Sequence, residues 1–283
     1  MSQRYFEGVK LASTYQRVRP SPPQSLIDSI INYIKQKHVG PLRDAVDVGC
    51  GSGQVSRVVA PYFTSVVGMD VSPAMVEVAS NLENPSNVTF VVVGSEEEYP
   101  VAAESCSLVV SCMAAHWFDM PRYFVQAHRV LRPGGVIAHV GYLVPELHWP
   151  GKSHLLQEIM VDIHLNEMGQ YFGRSNRDDI DGSYTAAKYD MPYEEHHRED
   201  GMHEASLELP VSAMGDYITT MSGFSGYRHH LGEQKATLLK QQYMDRIMKV
   251  LDVSSSPEET MLTIKFRYFL SMGRKPLTDN SGQ

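Results

Sequence analysis

Cysteine, basic charge and long apolar runs are all scarce in this sequence, and each scarcity excludes something. There are three cysteines, Cys50, Cys106 and Cys112. Each sits in or beside an apolar segment, which reads as buried, reduced thiols and fits a cytoplasmic setting better than a disulfide framework. No apolar run approaches the roughly 20 residues that span a bilayer, and the first residues carry no apolar signal region; no membrane partner is expected. Asn87-Val88-Thr89 matches a glycosylation sequon but has no secretion signal to make it meaningful. Lysine and arginine number 25 against 33 acidic residues, a net charge of −8. That balance argues against nucleic acid as the main partner, because phosphate binding needs a basic surface. No Cys/His spacing resembles a metal site. The adjacent pairs His196-His197 and His229-His230 point their side chains apart and read as solvated surface. A G-x-S-x-G nucleophile elbow is missing too, as are internal repeats and low-complexity tracts.

What the chain does have is apolar material and one informative turn. At 283 residues and 42% hydrophobic, it can bury a full core and fits one elaborated domain rather than two equal ones. An apolar run, Ala45 to Val48, enters the turn Gly49-Cys50-Gly51-Ser52-Gly53, and a helical pattern leaves it from Gln54 until Pro61. Glycines at a strand-to-helix turn let the backbone approach a ligand where a Cβ would collide. The next apolar run, Ser65 to Met69, ends in Asp70. A carboxylate there accepts hydrogen bonds from ribose hydroxyls, as in dinucleotide sites. Yet the third glycine comes one residue early for a dinucleotide fingerprint, at Gly53, and Asp47 precedes the first glycine by two. An acid there repels a pyrophosphate and suits a ligand with a positive amino group, so an NAD-dependent enzyme is disfavoured.

Along the chain, residues 1–20 read as a polar lead. Ser21 reads as a helix cap, with Pro22 at the first helical position and Gln24 closing a capping box. Leu26, Ile27, Ile30, Ile31 and Ile34 form the apolar stripe of the helix that follows, and Gly40-Pro41 ends it. Strands are expected at 45–49, 65–70, 88–93, 107–112 and 136–141, and helices at 54–60, 73–82 and 120–131, the second starting at Ser72-Pro73. This alternation means βα units on a parallel sheet with right-handed crossovers. Arg132 to Gly135 reads as a turn feeding the fifth strand. Residues 143–203, rich in His, Glu, Asp and Tyr, read as helices and loops without a clear strand. Late strands are expected at 204–209 and 260–270, with helices near 212–224 and 233–251.

The pattern Asp47-x-Gly49-x-Gly51-x-Gly53, answered by Asp70, resembles motif I of the class I S-adenosylmethionine-dependent methyltransferases. Ala114 to Asp119 after the fourth strand and the Arg129 to Gly135 turn extend the likeness to the small-molecule branch, over roughly 11–141. Tyr15 to Pro20 and Gly273 to Pro276 add to it. Among families, the trans-aconitate methyltransferase-like group is the nearest in pattern, with juvenile hormone acid methyltransferases more distant; those enzymes methylate carboxylates of small metabolites. The resemblance implies an α/β, Rossmann-like fold: a seven-stranded, mostly parallel sheet with an antiparallel last strand and a helical cap. It implies one domain over 1–283: an N-terminal segment and helix (1–40), a cofactor-binding core (41–142), a substrate cap (143–203) and closing strands and helices (204–283). S-adenosylmethionine would be the cofactor and S-adenosylhomocysteine its product. Asp47 and the Gly49 carbonyl would hold the methionine ammonium, with Cys50 and Ala114 beside them, while Gly51 and Gly53 clear space. Asp70 would bind the ribose, Val71 and Met75 would pack on the adenine, and Ser95 or Glu96 would meet its amino group. The family's usual aspartate is replaced by Ser95, and Cys106-Ser107 stands for a common Phe-Asp.

His116 and Trp117 follow the fourth strand at the carboxyl edge, where open α/β sheets bind ligands. Two readings stay open: lining of the acceptor pocket, with His116 as a base in the sharper version, or an aromatic pair covering the next helix. Tyr15 and Arg19 either close the mouth of the cofactor site or form a packing arm. No other base is evident, and Met113 to His116 replaces the Asn/Asp-Pro-Pro-Tyr loop of amide-directed enzymes. A carboxylate is ionised at neutral pH and needs no base, so it is the favoured acceptor. Amine, thiol or phenol acceptors, and a non-catalytic S-adenosylmethionine-binding protein, are the alternatives.

Overall fold

A computed structural model describes residues 8–38 and 40–277; the first residues of the N-terminal lead lie outside the described residues. Eight strands form one sheet: β1 (Asp44–Val48), β2 (Ser65–Asp70), β3 (Val88–Val92), β4 (Cys106–Cys112), β5 (Leu131–Tyr142), β6 (Glu146–His148), β7 (His196–Pro210) and β8 (Met261–Arg274). The order β3-β2-β1-β4-β5 is parallel throughout. Next to β5 lies β8, antiparallel, which also carries β6 and β7, both antiparallel. The mostly parallel expectation holds, and three antiparallel strands replace the single closing one.

The central strands read as nearly continuous apolar runs because both faces are covered. Alternation along them divides the core. Ala45, Leu108 and Val110 join a cluster with α2 (Gln24–Lys35), while Val46, Val48 and Val109 join one with α5 (Met120–Val130). In α4 (Pro73–Asn81), Ser72 caps the helix by accepting from the Met75 N–H, as Ser72-Pro73 predicts; Asp119 likewise caps α5.

Four local expectations are corrected. Helix α2 begins at Gln24 without a side-chain cap, so Ser21 and Gln24 form no capping box. Ser21 and Pro22 each precede a proline, which disfavours the helical region, and both lie outside the helix. The polar lead contains a helix, α1 (Val9–Val18), whose Ala12 and Tyr15 pack on Met75 and Val78; the spacing Ala12, Tyr15, Val18 was its only signal. And β7 starts at His196, well before 204, inside the segment read as strandless. Its sequence is charged because it lies at the sheet edge, where charge protects unpaired backbone, and its ladder is interrupted between Asp200 and His203, beside Gly201 at φ +67°. His196 and His197 therefore sit on a strand, exposed as expected. Strand β5 likewise takes in Arg132 to Gly135, with a register irregularity there instead of a free turn.

The remaining helices are α3 (Gln54–Val59), α6 (Ser153–Asp162), α7 (Arg174–Asp181), α8 (Val211–Thr219), α9 (Ser222–Leu231) and α10 (Glu233–Leu251). None of the described helices is long and apolar enough to cross a membrane. The late Gly273-Arg274-Lys275-Pro276 acquires a physical meaning. Arg274 donates to the Tyr33 and Ile34 carbonyls ending α2, and Lys275 donates to the His128 carbonyl near the end of α5 and to the Leu131 carbonyl just past it. Two buried cations thus satisfy helix C-termini, where orphan carbonyls concentrate negative charge.

Candidate active site

The site is built on the turn after β1. The Gly49 and Cys50 N–H groups both donate to the Met69 carbonyl, at 2.8 and 2.9 Å, tying the turn to the end of β2. Asp70 completes the tie: its Oδ2 accepts from the Gly51 N–H and its Oδ1 from the Ser72 N–H, each at 2.8 Å. Burial raises the Asp70 pKa, opposed by these backbone bonds. A carboxylate has about four lone-pair sites, so each oxygen keeps capacity for a ligand hydroxyl.

Asp47 is 1% exposed. Its Oδ2 accepts from the Ser56 hydroxyl at 2.6 Å, whereas its Oδ1 is buried with no hydrogen-bond partner among the described residues. Burial pushes its pKa up to about 7, against the opposing Ser56 bond. A buried, half-satisfied carboxylate at a cavity wall is the chemistry an ammonium ligand completes, so the residues present fit a ligand bearing one. The ordinary carboxylate value lies near 4. The raised value therefore costs the free protein stability as pH rises from about 4 through about 7, and an ammonium ligand must displace the proton below that. Affinity for S-adenosylmethionine is expected to fall about tenfold for each pH unit below about 7. Calorimetric titrations between pH 5.5 and 8 check this, and Asp47→Asn should bind weakly with a flat profile.

Both carboxylates face a cavity of about 320 Å³, within the range of small-ligand pockets. Of the residues expected from the sequence, Tyr15, Asp47, Gly49, Cys50, Gly51, Asp70, Val71, Met75, Ser95, Glu96, Ala114 and Trp117 line it, and Arg19, Gly53 and His116 do not. The Ser95 hydroxyl donates to Glu96 at 2.8 Å. Gly53 clears room for the core instead: a Cβ there would meet the Phe90 ring at 2.5 Å. Gly49 is needed twice over, because φ is +70° and a Cβ would come 2.4 Å from that of Ala114. Sequence reasoning missed Gln54, Cys112, Met113, Phe118 and Tyr142 on this wall. One signal was available for Tyr142, an aromatic at the carboxyl end of a sheet strand. Met113 holds φ +54°, the kind of strained backbone that gathers at ligand sites.

Arg19 faces a second cavity, about 80 Å³, which shares Tyr15, Met113, Trp117 and Tyr142 with the first. Its Nε donates to the Thr220 hydroxyl at 2.8 Å and its Nη2 to the Thr220 carbonyl at 3.0 Å. Its Nη1 reaches the hydroxyls of Tyr142 and Tyr217 at 3.0 and 3.3 Å. Among the described residues no carboxylate pairs with it. The Arg19 carbonyl accepts from Gln54 at 2.8 Å, fastening the N-terminal arm to the glycine turn. His116 also lines the second cavity, with Nδ1 hydrogen-bonded to the Tyr184 hydroxyl at 2.7 Å. Burial, with a smaller contribution from Lys188, pulls its pKa down to about 3. A ring so reluctant to take a proton is a poor base at neutral pH. Among the described residues no group of His, Cys, Asp or Glu could hold a metal ion.

Residues 46–139 match the methyltransferase domain family model. With this sheet and these two carboxylates, the matched segment has the architecture of a class I methyltransferase domain, and the residues present fit S-adenosylmethionine as its cofactor. Similar proteins agree in class. A Saccharomyces cerevisiae protein named as an S-adenosylmethionine-dependent methyltransferase is 36% identical over 136 residues, 47% of this chain and 45% of its own. A Hahella chejuensis malonyl-[acyl-carrier protein] O-methyltransferase is 42% identical over 97 residues, 33% of this chain and 34% of its own. The chain thus spans less than half the length of these two curated relatives. The solved structure of an Anaeromyxobacter dehalogenans protein assigned as a type II methyltransferase shares the fold, with a TM-score of 0.70, 23% identity, and coverage of 91% of this chain and 99% of that one.

Proposed function

We propose that the whole chain transfers the methyl group of S-adenosylmethionine to a carboxylate oxygen of a small molecule, as in the trans-aconitate methyltransferase-like group. The observation that carries this reading is Arg19: a cation with no carboxylate partner among the described residues, on the wall of a second cavity that adjoins the first. When bound, S-adenosylmethionine supplies an electrophilic methyl carried on a sulfonium. Asp47 holds a positive amino group, Asp70 holds hydroxyls, and Met75 and Val71 offer apolar contact. Arg19, oriented by Tyr142, Tyr217 and Thr220, attracts and aims an anionic oxygen from the other side. Trp117 and the N-terminal arm exclude water. Holding two reactants in line supplies about 7–11 kcal/mol of the barrier. An ionised carboxylate needs no proton removed, which agrees with the low basicity of His116. A cytoplasmic location, residues 143–203 as substrate cap, and no nucleic-acid or membrane partner belong to the same reading, supported by the acidic charge and reduced thiols.

The test is incubation with methyl-tritiated S-adenosylmethionine and a pooled metabolite extract. Radiolabel in a product that loses its methyl in mild alkali supports an ester; an alkali-stable product points to an amine, thiol or phenol and overturns the acceptor assignment. Trp117 is 36% exposed and lines both cavities. Trp117→Ala should therefore lower acceptor turnover while S-adenosylmethionine affinity stays within about threefold, under 1 kcal/mol. A loss of about 3–5 kcal/mol in stability, with cofactor binding falling in proportion, would make Trp117 a core residue instead. Melting temperature and calorimetry side by side decide between them.

A further inference from the structure

The second cavity is also lined by a histidine, His164. His164 is buried, 8% exposed, and among the described residues neither ring nitrogen has a hydrogen-bond partner. It lies in a π-helical turn, Ile163–Glu167, continuing α6. Such turns are rare and gather at functional sites, because the widened backbone displaces a side chain from the α-helical register. Its Nε2 is 3.7 Å from Asp181 Oδ1, too far for a hydrogen bond, and its ring packs against Phe172 at 4.9 Å. Asp181 is itself paired with Arg177, Nε to Oδ2 at 3.2 Å. All four of these residues line the second cavity, as does Arg19. A buried polar group left unsatisfied in a folded protein calls for a ligand or a water.

We propose that His164 recognises the acceptor, hydrogen-bonding a neutral oxygen that the acceptor carries away from its methyl-accepting carboxylate. The inference rests on the acceptor reading above. A ring N–H of the imidazole donates to either a hydroxyl or a carbonyl oxygen. A second carboxylate fits poorly, because Asp181 stands beside His164 and Arg177 is already committed to it. The enzyme therefore prefers hydroxy or keto acids over simple alkanoic acids. A site that hydrogen-bonds a substituent discriminates strongly against the analogue lacking it, because its own polar group is then left unpaired.

The experiment uses the full chain, S-adenosylmethionine, and hexanoate, 6-hydroxyhexanoate and 5-oxohexanoate as acceptors, with His164→Phe and His164→Gln beside the parent protein. The parent is expected to favour at least one oxygenated acid over hexanoate by about tenfold or more in kcat/KM. His164→Phe should collapse that ratio, mainly through KM, and His164→Gln should retain part of it. Cofactor affinity and melting temperature serve as controls for folding. An unchanged ratio in His164→Phe, no preference in the parent, or all acids falling in parallel with stability overturns the inference while leaving carboxylate methylation standing. If the parent binds S-adenosylmethionine but methylates none of the acids, the acceptor reading falls and this inference with it.

Discussion

Arg274→Ala is expected to destabilise the protein by about 3–5 kcal/mol, because a buried guanidinium that serves several buried carbonyls is lost. The side chain is 2% exposed. Its Nε donates to Glu195 at 2.6 Å, its Nη1 to the Ile34 and Gly134 carbonyls at 3.3 and 3.2 Å, and its Nη2 to the Tyr33 carbonyl. It also lies over the Tyr33 ring, 4.4 Å from the centroid. One guanidinium therefore holds the C-terminus of α2, the start of β5 and the segment entering β7. Truncation removes a donor from three carbonyls, two of which keep long 3.4 Å bonds from the Gln36 and Lys37 N–H groups, at about 1–3 kcal/mol for each that water cannot reach. In a domain of this size a loss of about 3–5 kcal/mol lowers the melting temperature by roughly 5–8 °C. Arg274→Lys keeps the charge but cannot reach three separate carbonyls from one nitrogen and should recover only part. The site is remote from both cavities, so cofactor affinity in the surviving folded fraction should be unchanged. A melting temperature within about 2 °C of the parent would show that solvent replaces these bonds.

Asp70→Ala should weaken S-adenosylmethionine binding roughly 10- to 150-fold, the equivalent of about 1.5–3 kcal/mol for hydrogen bonds to a charged acceptor. Two effects act together. The ligand loses its acceptor for hydroxyl groups, and the glycine turn loses its clamp, since Asp70 engages both the Gly51 and the Ser72 N–H. Asp70→Asn separates them in part: the amide accepts one of these N–H groups but presents its own donors to the other. Its affinity should fall between parent and Ala. The fold should survive, because the residue ends an edge-proximal strand and faces a cavity. Calorimetry with both S-adenosylmethionine and S-adenosylhomocysteine gives the measurement. Unchanged affinity in Asp70→Ala would remove the acidic residue from the cofactor site.

The legible part of this protein is the part whose physics is local. A strand, a glycine turn and a helix occupy consecutive residues, so Asp47, Gly49 and Gly51 fall at the cavity by chain geometry alone, and Asp70 follows one βα unit later. The alternation of apolar runs with helical stripes predicted β1 to β5 within a few residues, apart from the N-terminal extension of β5 over Arg132 to Gly135. Errors came where a neighbour, not the segment itself, sets the conformation. Gly53 belongs to the same motif as Gly51 but faces Phe90 of β3, two strands away from β1. Strand β7 carries an unstrandlike, charged sequence and is held by its ladder to β8.

The sequence by itself determined where a cofactor site would form, because cofactor chemistry is concentrated in one short turn and one carboxylate. Only the tertiary structure decided what surrounds the transferred group. Arg19 meets Tyr142, Tyr217 and Thr220 across separations of 123, 198 and 201 residues, and His164 shares that cavity with Trp117 and Asp181. Each of these residues has an ordinary structural use in isolation. They become a site because folding strips them of water and leaves a cation and an imidazole facing the same small space, a property of distance and burial that no local pattern encodes.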